Sequence, residues 1–269
     1  DDFLQIDAPV NRGNSGGPTF DLHGRVVGVN TAIYSPSGGS VGIGFAIPST
    51  VAGDVVQALR DKGFVSRGYI GVQIQNVTPA IQESLKLPNA TGALVAEVQP
   101  NTPAARAGLE AGDVIVAVNG DKVEAPRDLS RRIAALGPKA TADLRYLRNG
   151  REQTTKVTLE SLPDQRADAA RDTRGGDDEG DRGTRLGLRL APGDNGVAVA
   201  EVEPDSPAAR QGLQSGDTIL EVAGRAVKRP AEVADAVRAA RQENRKNVLL
   251  RVRSGQGTRF VALPTGGAS

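Results

Sequence analysis

Gly13-Asn14-Ser15-Gly16-Gly17-Pro18 is the stretch on which the fold of this 269-residue chain turns. It places a serine between glycines at the G-x-S-x-G spacing, which occurs in two unlike settings. In one, the serine sits on a sharp turn leading from a strand into a helix. Here Pro18 follows within three residues, and Phe20-Asp21-Leu22-His23-Gly24-Arg25 reads as a hairpin leading into another strand. No room is left for the helix, so the serine belongs to an all-β setting.

Working outward, Arg25-Val26-Val27-Gly28-Val29-Asn30 and Gly42-Ile43-Gly44-Phe45-Ala46-Ile47 read as short strands bounded by turn residues. Ser49 is the expected cap of a helix that carries Val51, Val55, Val56 and Leu59 on one face and stops at Gly63. Residues 1–66 thus form one strand-rich region closed by a helix.

The rest of the chain is a duplication. Gly92 to Arg106 matches Gly196 to Arg210, and the match continues through Gly108-Leu109 and Gly112-Asp113 into Gly212-Leu213 and Gly216-Asp217, at a constant offset of 104 positions. Two copies of this length are a duplicated domain; a solenoid needs more and shorter units. In each copy a strand (Ala93 to Val98) leads into a short helix capped by Thr102 with Pro103 at its first position. Val114 to Val118 is the next strand, and a longer helix begins at Pro126 and ends at Gly137-Pro138. The copies span 67–162 and 185–269. Between them, 163–184 is about half charged, has Gly175-Gly176 and lacks apolar anchors, which predicts a flexible linker.

Composition narrows the chemistry. Lys and Arg number 33 against 32 Asp and Glu, which gives no clustered basic surface for nucleic acid. No apolar run is long enough for a transmembrane segment. There is no cysteine and only one histidine, so neither a thiolate metal site nor an all-protein zinc site of the usual kind is expected, and no cofactor is implied.

Gln5 through Pro18 closely resembles the nucleophile region of the HtrA/Deg (protease Do) family of trypsin-like serine proteases. Gly42-Ile43-Gly44-Phe45-Ala46-Ile47-Pro48 resembles that family's strand after the specificity loop. The implied fold is mostly β with short helices: the C-terminal part of a trypsin-like β-barrel followed by two PDZ domains. The resemblance implies Ser15 as nucleophile, with the backbone at Gly13, Asn14 and Ser15 as oxyanion hole. It also implies Val10, Ile33, Tyr34 and Ile43 as an apolar specificity pocket for small aliphatic residues. The family's triad histidine and aspartate precede the serine, so this chain is expected to be inactive by itself; His23, in its His-Gly turn, is read as structural.

Arg67-Gly68-Tyr69-Ile70-Gly71-Val72-Gln73-Ile74 resembles the carboxylate-binding loop and first strand of a PDZ domain of the HtrA kind. Glycine there lets successive N–H groups face a peptide's terminal carboxylate, while the strand edge takes the peptide by β-augmentation. The implied site is Gly68, Tyr69, Ile70, Gly71 and Val72 with Leu129 and Ile133 from the longer helix; Arg67 and Arg132 are candidate carboxylate-steering cations, more simply read as solvated. In the second copy Leu186, Gly187 and Leu188 match more loosely. Arg189 there replaces a neutral strand residue, which suggests assembly contacts in place of capture.

The resemblance implies a periplasmic endopeptidase of envelope protein quality control, a trimer-based homo-oligomer when full length. Its partners would be unfolded or misfolded polypeptides and their apolar C-termini. The alternative is a non-catalytic PDZ peptide-binding protein with a vestigial protease segment.

Overall fold

The computed structural model describes residues 3–11, 13–36, 39–161, 181–184, 186–255 and 257–265, with the backbone alone at 62 and 181–184. Most of the expected linker, 163–180, lies outside the described residues, as does 162 before it. The chain divides into two compact units, Asp1–Ser66 and Arg67–Ser269.

The first unit is an antiparallel sheet of β1 (Leu4–Ile6), β2 (Pro18–Phe20), β3 (Val26–Ile33) and β4 (Gly44–Pro48), ordered β1-β4-β3-β2, followed by α1 (Ser49–Lys62). Ser49 is the first helical residue instead of the cap: Pro48 holds that position and no side chain caps the helix. The helix ends as its glycine predicts, with Gly63 at φ 76° and its N–H on the Leu59 carbonyl. This unit buries little. Among the described residues its only buried apolar side chains are Val10 and Ala46, whereas all twelve large apolar side chains that stand exposed among the described residues lie within it. The apolar face of α1 is among them, with Val51, Val56 and Leu59 each at least 47% exposed.

The second unit holds both copies. Copy 1 comprises β5 (Gly68–Tyr69), β6 (Val72–Asn76), α2 (Pro79–Leu85), β7 (Ala93–Val98), α3 (Pro103–Arg106), β8 (Val114–Val118), β9 (Asp121–Lys122), α4 (Pro126–Leu136), β10 (Thr141–Arg148), β11 (Arg151–Thr158) and β12 (Glu160–Ser161). Its main sheet runs β11-β10-β8-β7-β6, with β6 at the edge, and β5 pairs with β12. Copy 2 comprises β13 (Asp181–Thr184), β14 (Leu188–Gly193), β15 (Gly196–Val202), α5 (Pro207–Arg210), β16 (Thr218–Val222), β17 (Arg225–Ala226), α6 (Pro230–Gln242), β18 (Asn247–Ser254) and β19 (Gly257–Pro264), in the order β13-β14-β15-β16-β18-β19.

Each copy has its own apolar core. Ile70, Val95, Ile115, Leu129, Ile133 and Leu144 fill the first; Leu188, Val199, Ile219, Val233, Leu250 and Leu263 fill the second. Strand alternation supplies one face of each sheet and the 3.6-residue periodicity of α4 and α6 the other. Two expectations need correction. The last four residues of the predicted linker are not linker but β13, which pairs with β14 in the register Asp181↔Leu190 and Thr184↔Leu188. The copies are also not simply tethered, because a third apolar cluster spans them: Ile81, Leu87, Leu94 and Val114 of copy 1 pack with Leu249 and Phe260 of copy 2.

Candidate active site and peptide-binding loops

Ser15 lies in an exposed turn that leads into β2. The loop is held by backbone bonds on both sides: Asn14 N–H donates to Asn11 O (3.1 Å), Gly16 N–H to Asn30 O (2.8 Å) and Gly17 N–H to Asn14 O (3.0 Å). Asn14 Oδ1 accepts from Asn11 N (2.9 Å), and Thr19 Oγ1 donates to Asn30 Oδ1 (2.6 Å), tying β2 to β3 beneath the turn. Gly13 and Gly16 adopt φ of 98° and 84°, the left-handed region that lets the chain double back here. Among the described residues no acceptor meets the N–H of Gly13 or of Ser15, whereas the Asn14 amide between them is engaged. Of the three expected oxyanion-hole residues, two therefore offer donors and Asn14 does not.

The four expected specificity-pocket residues are partly gathered. Tyr34 N–H bonds to Ile43 O (3.0 Å), which joins the ends of β3 and β4, and Val10 is buried against the β4 backbone, where a Cβ on Gly44 would stand 3.2 Å from it. Ile33 and Ile43 are half-buried and Tyr34 is 58% exposed.

His23 stands in the β2–β3 hairpin, at the end of β2 remote in sequence from Ser15, with its side chain 79% exposed. Its Nδ1 is 3.9 Å from Asp21, whose carboxylate accepts from the N–H groups of His23 (2.8 Å) and Arg25 (2.9 Å). The Arg25 amide foremost holds the Asp21 carboxyl below its ordinary range. Both residues thus belong to a turn motif.

In copy 1 the loop at Ile70-Gly71 is fixed through its carbonyls: Ile70 O accepts from Ala104 N (2.8 Å) and Gly71 O from Gln99 N (2.9 Å). With the carbonyls turned to the α3 segment, the N–H groups of Ile70 and Gly71 face away and meet no acceptor among the described residues. Copy 2 repeats this with equivalent partners: Leu186 O accepts from Ala208 N (3.4 Å) and Gly187 O from Glu203 N (2.9 Å). The second loop is therefore built on the same plan, which its sequence understated. Adjacent N–H groups without partners form an anion-binding concavity.

Around copy 1's loop, the Tyr69 hydroxyl donates to Gln99, and burial followed by the Glu160 charge raises its pKa. Gly68 presses on α4: a Cβ there would lie 2.3 Å from Ile133 O. Ile70, Leu129 and Ile133 are buried in the core cluster, with Val72 half-buried at its margin, so what the first three contribute to a groove is its floor. Arg132 is not a free cation, since it donates to Asp121 (2.7 Å) and to Lys122 O. Arg189 pairs across the sheet with Glu201 (2.8 Å), at the position that Gln73 holds in copy 1; both alternate with the core-facing residues, so Arg189 points away from the core-facing side of β14. Sequence reasoning missed β13 because its residues lack apolar anchors.

Comparison with known proteins fits these three parts. Residues 1–56 match the trypsin family, and 68–159 and 198–253 match PDZ domains. A DegP-like periplasmic serine endoprotease of Bartonella henselae is 49% identical over 98% of this chain and 53% of its own length. One of Rhizobium meliloti is 48% identical over 98% and 54%. Among solved structures, the HtrA-type protease AlgW with decapeptide is 41% identical with a TM-score of 0.57, covering 61% of this chain and 50% of that one. The same protease with tripeptide is 40% identical, TM-score 0.57, covering 62% and 56%. The chain spans about half the length of the curated relatives it matches. With a trypsin-type segment carrying Ser15 followed by two PDZ domains, and near half identity along its whole length, the chain belongs to the HtrA/DegP-like family of serine endoproteases.

Proposed function

We propose that this chain is the nucleophile-bearing and peptide-capturing part of a periplasmic endopeptidase that degrades unfolded or misfolded envelope proteins. The observation that carries the reading is the serine turn, where the amides of Gly13 and Ser15 meet no acceptor among the described residues while the intervening Asn14 amide is tied to Asn11. Two such donors aimed at a carbonyl oxygen stabilise the charge that develops on it, at about 3 kcal/mol each. Ser15 Oγ would attack the carbonyl carbon and pass its proton to a histidine. That histidine, oriented by an aspartate, would return the proton to the leaving amine. His23 is not suited to the part, being solvent-facing and held with Asp21 in a hairpin turn. We assign the base and its aspartate to a preceding segment of the same polypeptide, consistent with relatives about twice this length. The uncovered apolar side chains of the first unit are the surface such a segment would close.

Val10, Ile33, Tyr34 and Ile43 would select a small aliphatic residue before the cleaved bond. The two PDZ domains would bind apolar C-termini, the carboxylate on the Ile70 and Gly71 amides and the chain along β6. A trimer-based homo-oligomer is the expected assembly. No helix among the described residues is long and apolar enough to cross a membrane. A second reading is favoured by the position of His23: taken alone, this chain is a peptide-binding module without hydrolysis.

The test compares casein turnover by the 269-residue chain and by a protein extended to the relatives' length. The chain is expected to be silent and the longer protein active. Ser15→Ala is expected to cost the longer protein several orders of magnitude while sparing peptide binding. Turnover by the short chain that disappears with Ser15→Ala would overturn the assignment of the base.

A further inference from the structure

The strand offered to peptide in copy 1 is gripped from its opposite face by copy 2. Val72 and Ile74 of β6 face the copy 1 core, so by strand alternation Gln73 and Gln75 point the other way. Those two side chains reach the outer edge of β19. Gln75 Oε1 accepts from Phe260 N (2.7 Å) while its Nε2 donates to Phe260 O (3.1 Å), so one side-chain amide stands in for the peptide unit of a neighbouring strand. Gln73 Oε1 accepts from Thr258 N (3.1 Å). Gly257 permits that approach, since a Cβ there would lie 2.8 Å from the same oxygen. The bonds are backed by apolar packing, with Phe260, Leu249 and Ala262 buried against Ile81, Leu94 and Val114. The helix α2, in a segment that copy 2 replaces with the tight Gly193–Gly196 hairpin, carries Ile81 into this contact, and Asn247 Nδ2 donates to Glu83 of the same helix (3.2 Å).

We infer that copy 2 acts as a brace for the copy 1 peptide site, with Gln73 and Gln75 as positioning residues that hold β6 in its ligand-accepting geometry from behind. The inference rests on the proposed peptide-binding role of copy 1. Coupling of this kind is reciprocal: if the grip favours peptide on β6, peptide on β6 must tighten the grip. The edge of β19 gains as well, because an uncovered edge strand is a template for unwanted pairing.

The experiment uses the whole 269-residue chain and a fluorescein-labelled decapeptide ending in Val. The double variant Gln73→Ala/Gln75→Ala releases the grip from copy 1. Phe260→Ala removes the apolar packing that backs the grip from the copy 2 side, and guards against a folding defect confined to copy 1. Each is expected to weaken peptide binding about fivefold or more, at the low end of typical allosteric couplings, and to speed amide exchange along Val72 to Asn76. Saturating peptide is expected to slow exchange at Thr258 and Phe260 in the parent chain and not in the double variant, a response that stability alone does not produce. Unchanged affinity in variants whose Thr258 and Phe260 amides exchange faster would overturn the brace and leave the peptide-binding reading standing. A parent chain that binds no peptide at copy 1 would remove both.

Discussion

Gly71 and Thr102 occupy nearly the same space: a Cβ on Gly71 would lie 2.2 Å from Thr102 Cβ, and Gly187 stands against Ser206 at the same distance in copy 2. Thr102 Oγ1 is turned back to the Gln99 carbonyl (2.7 Å), locking the α3 entrance behind the loop. With φ of 82°, Gly71 is required twice over, by backbone conformation and by contact. Gly71→Ala is expected to destabilise copy 1 by about 2 kcal/mol or more and to abolish its peptide binding. Gly108, at φ 75° with open space around it, is the control: Gly108→Ala carries the left-handed penalty alone, about 1 kcal/mol. Urea unfolding of both variants decides it, and equal losses would show that the contact with Thr102 is immaterial.

Arg148 closes the turn after α3. It pairs with both oxygens of buried Asp113 (2.7 Å each), with Glu110 (2.9 Å) and with the Gly108 carbonyl (2.8 Å), and lies 5.3 Å from the Tyr146 ring centroid. The bonds to Asp113 chiefly raise its pKa, so it is charged at every working pH. Arg148→Met leaves Asp113 buried without its counter-ion and is expected to cost about 3 kcal/mol. In copy 2 the arginine at the corresponding turn, Arg259, comes from β19 and donates to the Gly212 carbonyl, with no ion pair to Asp217 among the described residues. Arg259→Met is therefore expected to cost less. The reverse order in thermal melts would refute the assignment.

Much of this was legible in the residues themselves. The repeat fixed two domains, and Pro103, Pro126, Pro207 and Pro230 marked four helix starts that the structure keeps. The serine turn was legible because Gly13, Gly16 and Pro18 permit few alternatives. Contacts between elements were not, since they depend on tertiary register: Gln73 and Gln75 look like ordinary solvent-facing strand residues until β19 is placed beside them. β13 was hidden for a similar reason, as a charged segment carries no apolar period and its pairing with β14 is a matter of backbone register.

Acid should loosen the longer helix of each copy. Asp128 accepts from the N–H groups of Ala125 (3.0 Å) and Glu124 (3.2 Å), and these two bonds, the Ala125 one foremost, hold its pKa below the ordinary carboxylate range. Glu232 is lowered in the same way, first by the Lys228 amide. A depressed folded-state pKa stabilises at pH values above the unfolded one, about 4, and the contribution is lost as pH falls through the folded value. Melting temperatures recorded from pH 7 down to 3 should drop on the acid side. Asp128→Asn with Glu232→Gln should flatten that drop, and an unaltered acid limb would show that other carboxylates govern it.

The first unit should be the least protected part of this chain. Its sheet and helix leave Phe20, Val56 and Phe64 about 60% exposed, and little is buried against them. Amides of Val26 to Ile33 are expected to exchange faster than those of Val114 to Val118. Protection equal to that of the two copies would show the unit to be self-sufficient and would weaken the case for a preceding segment that covers it.

Peptide should prefer copy 1, for a reason that lies in the strand edges. The two loops share their geometry, with matching carbonyl anchors and N–H groups turned outward. What differs is the strand beside each: β6 ends its sheet with no described strand on its outer edge, whereas the corresponding edge of β14 is already paired with β13. β-augmentation needs that edge, so a peptide entering copy 2 must first displace Asp181–Thr184, while copy 1 presents its edge ready. In the whole chain, Gly71→Asp drives a charged side chain into Thr102 and displaces the loop that presents the Ile70 and Gly71 amides, and is expected to remove most of the high-affinity signal for a peptide ending in Val or Leu. Gly187→Asp is expected to leave that signal within about twofold, a change smaller than the loss of one ordinary hydrogen bond. Deleting 163–184 should then expose β14 and raise copy 2 binding in the Gly71→Asp background. A Gly187→Asp chain that loses the high-affinity site while Gly71→Asp retains it would reverse the assignment, and no gain on deletion would mean that β13 does not guard the second groove.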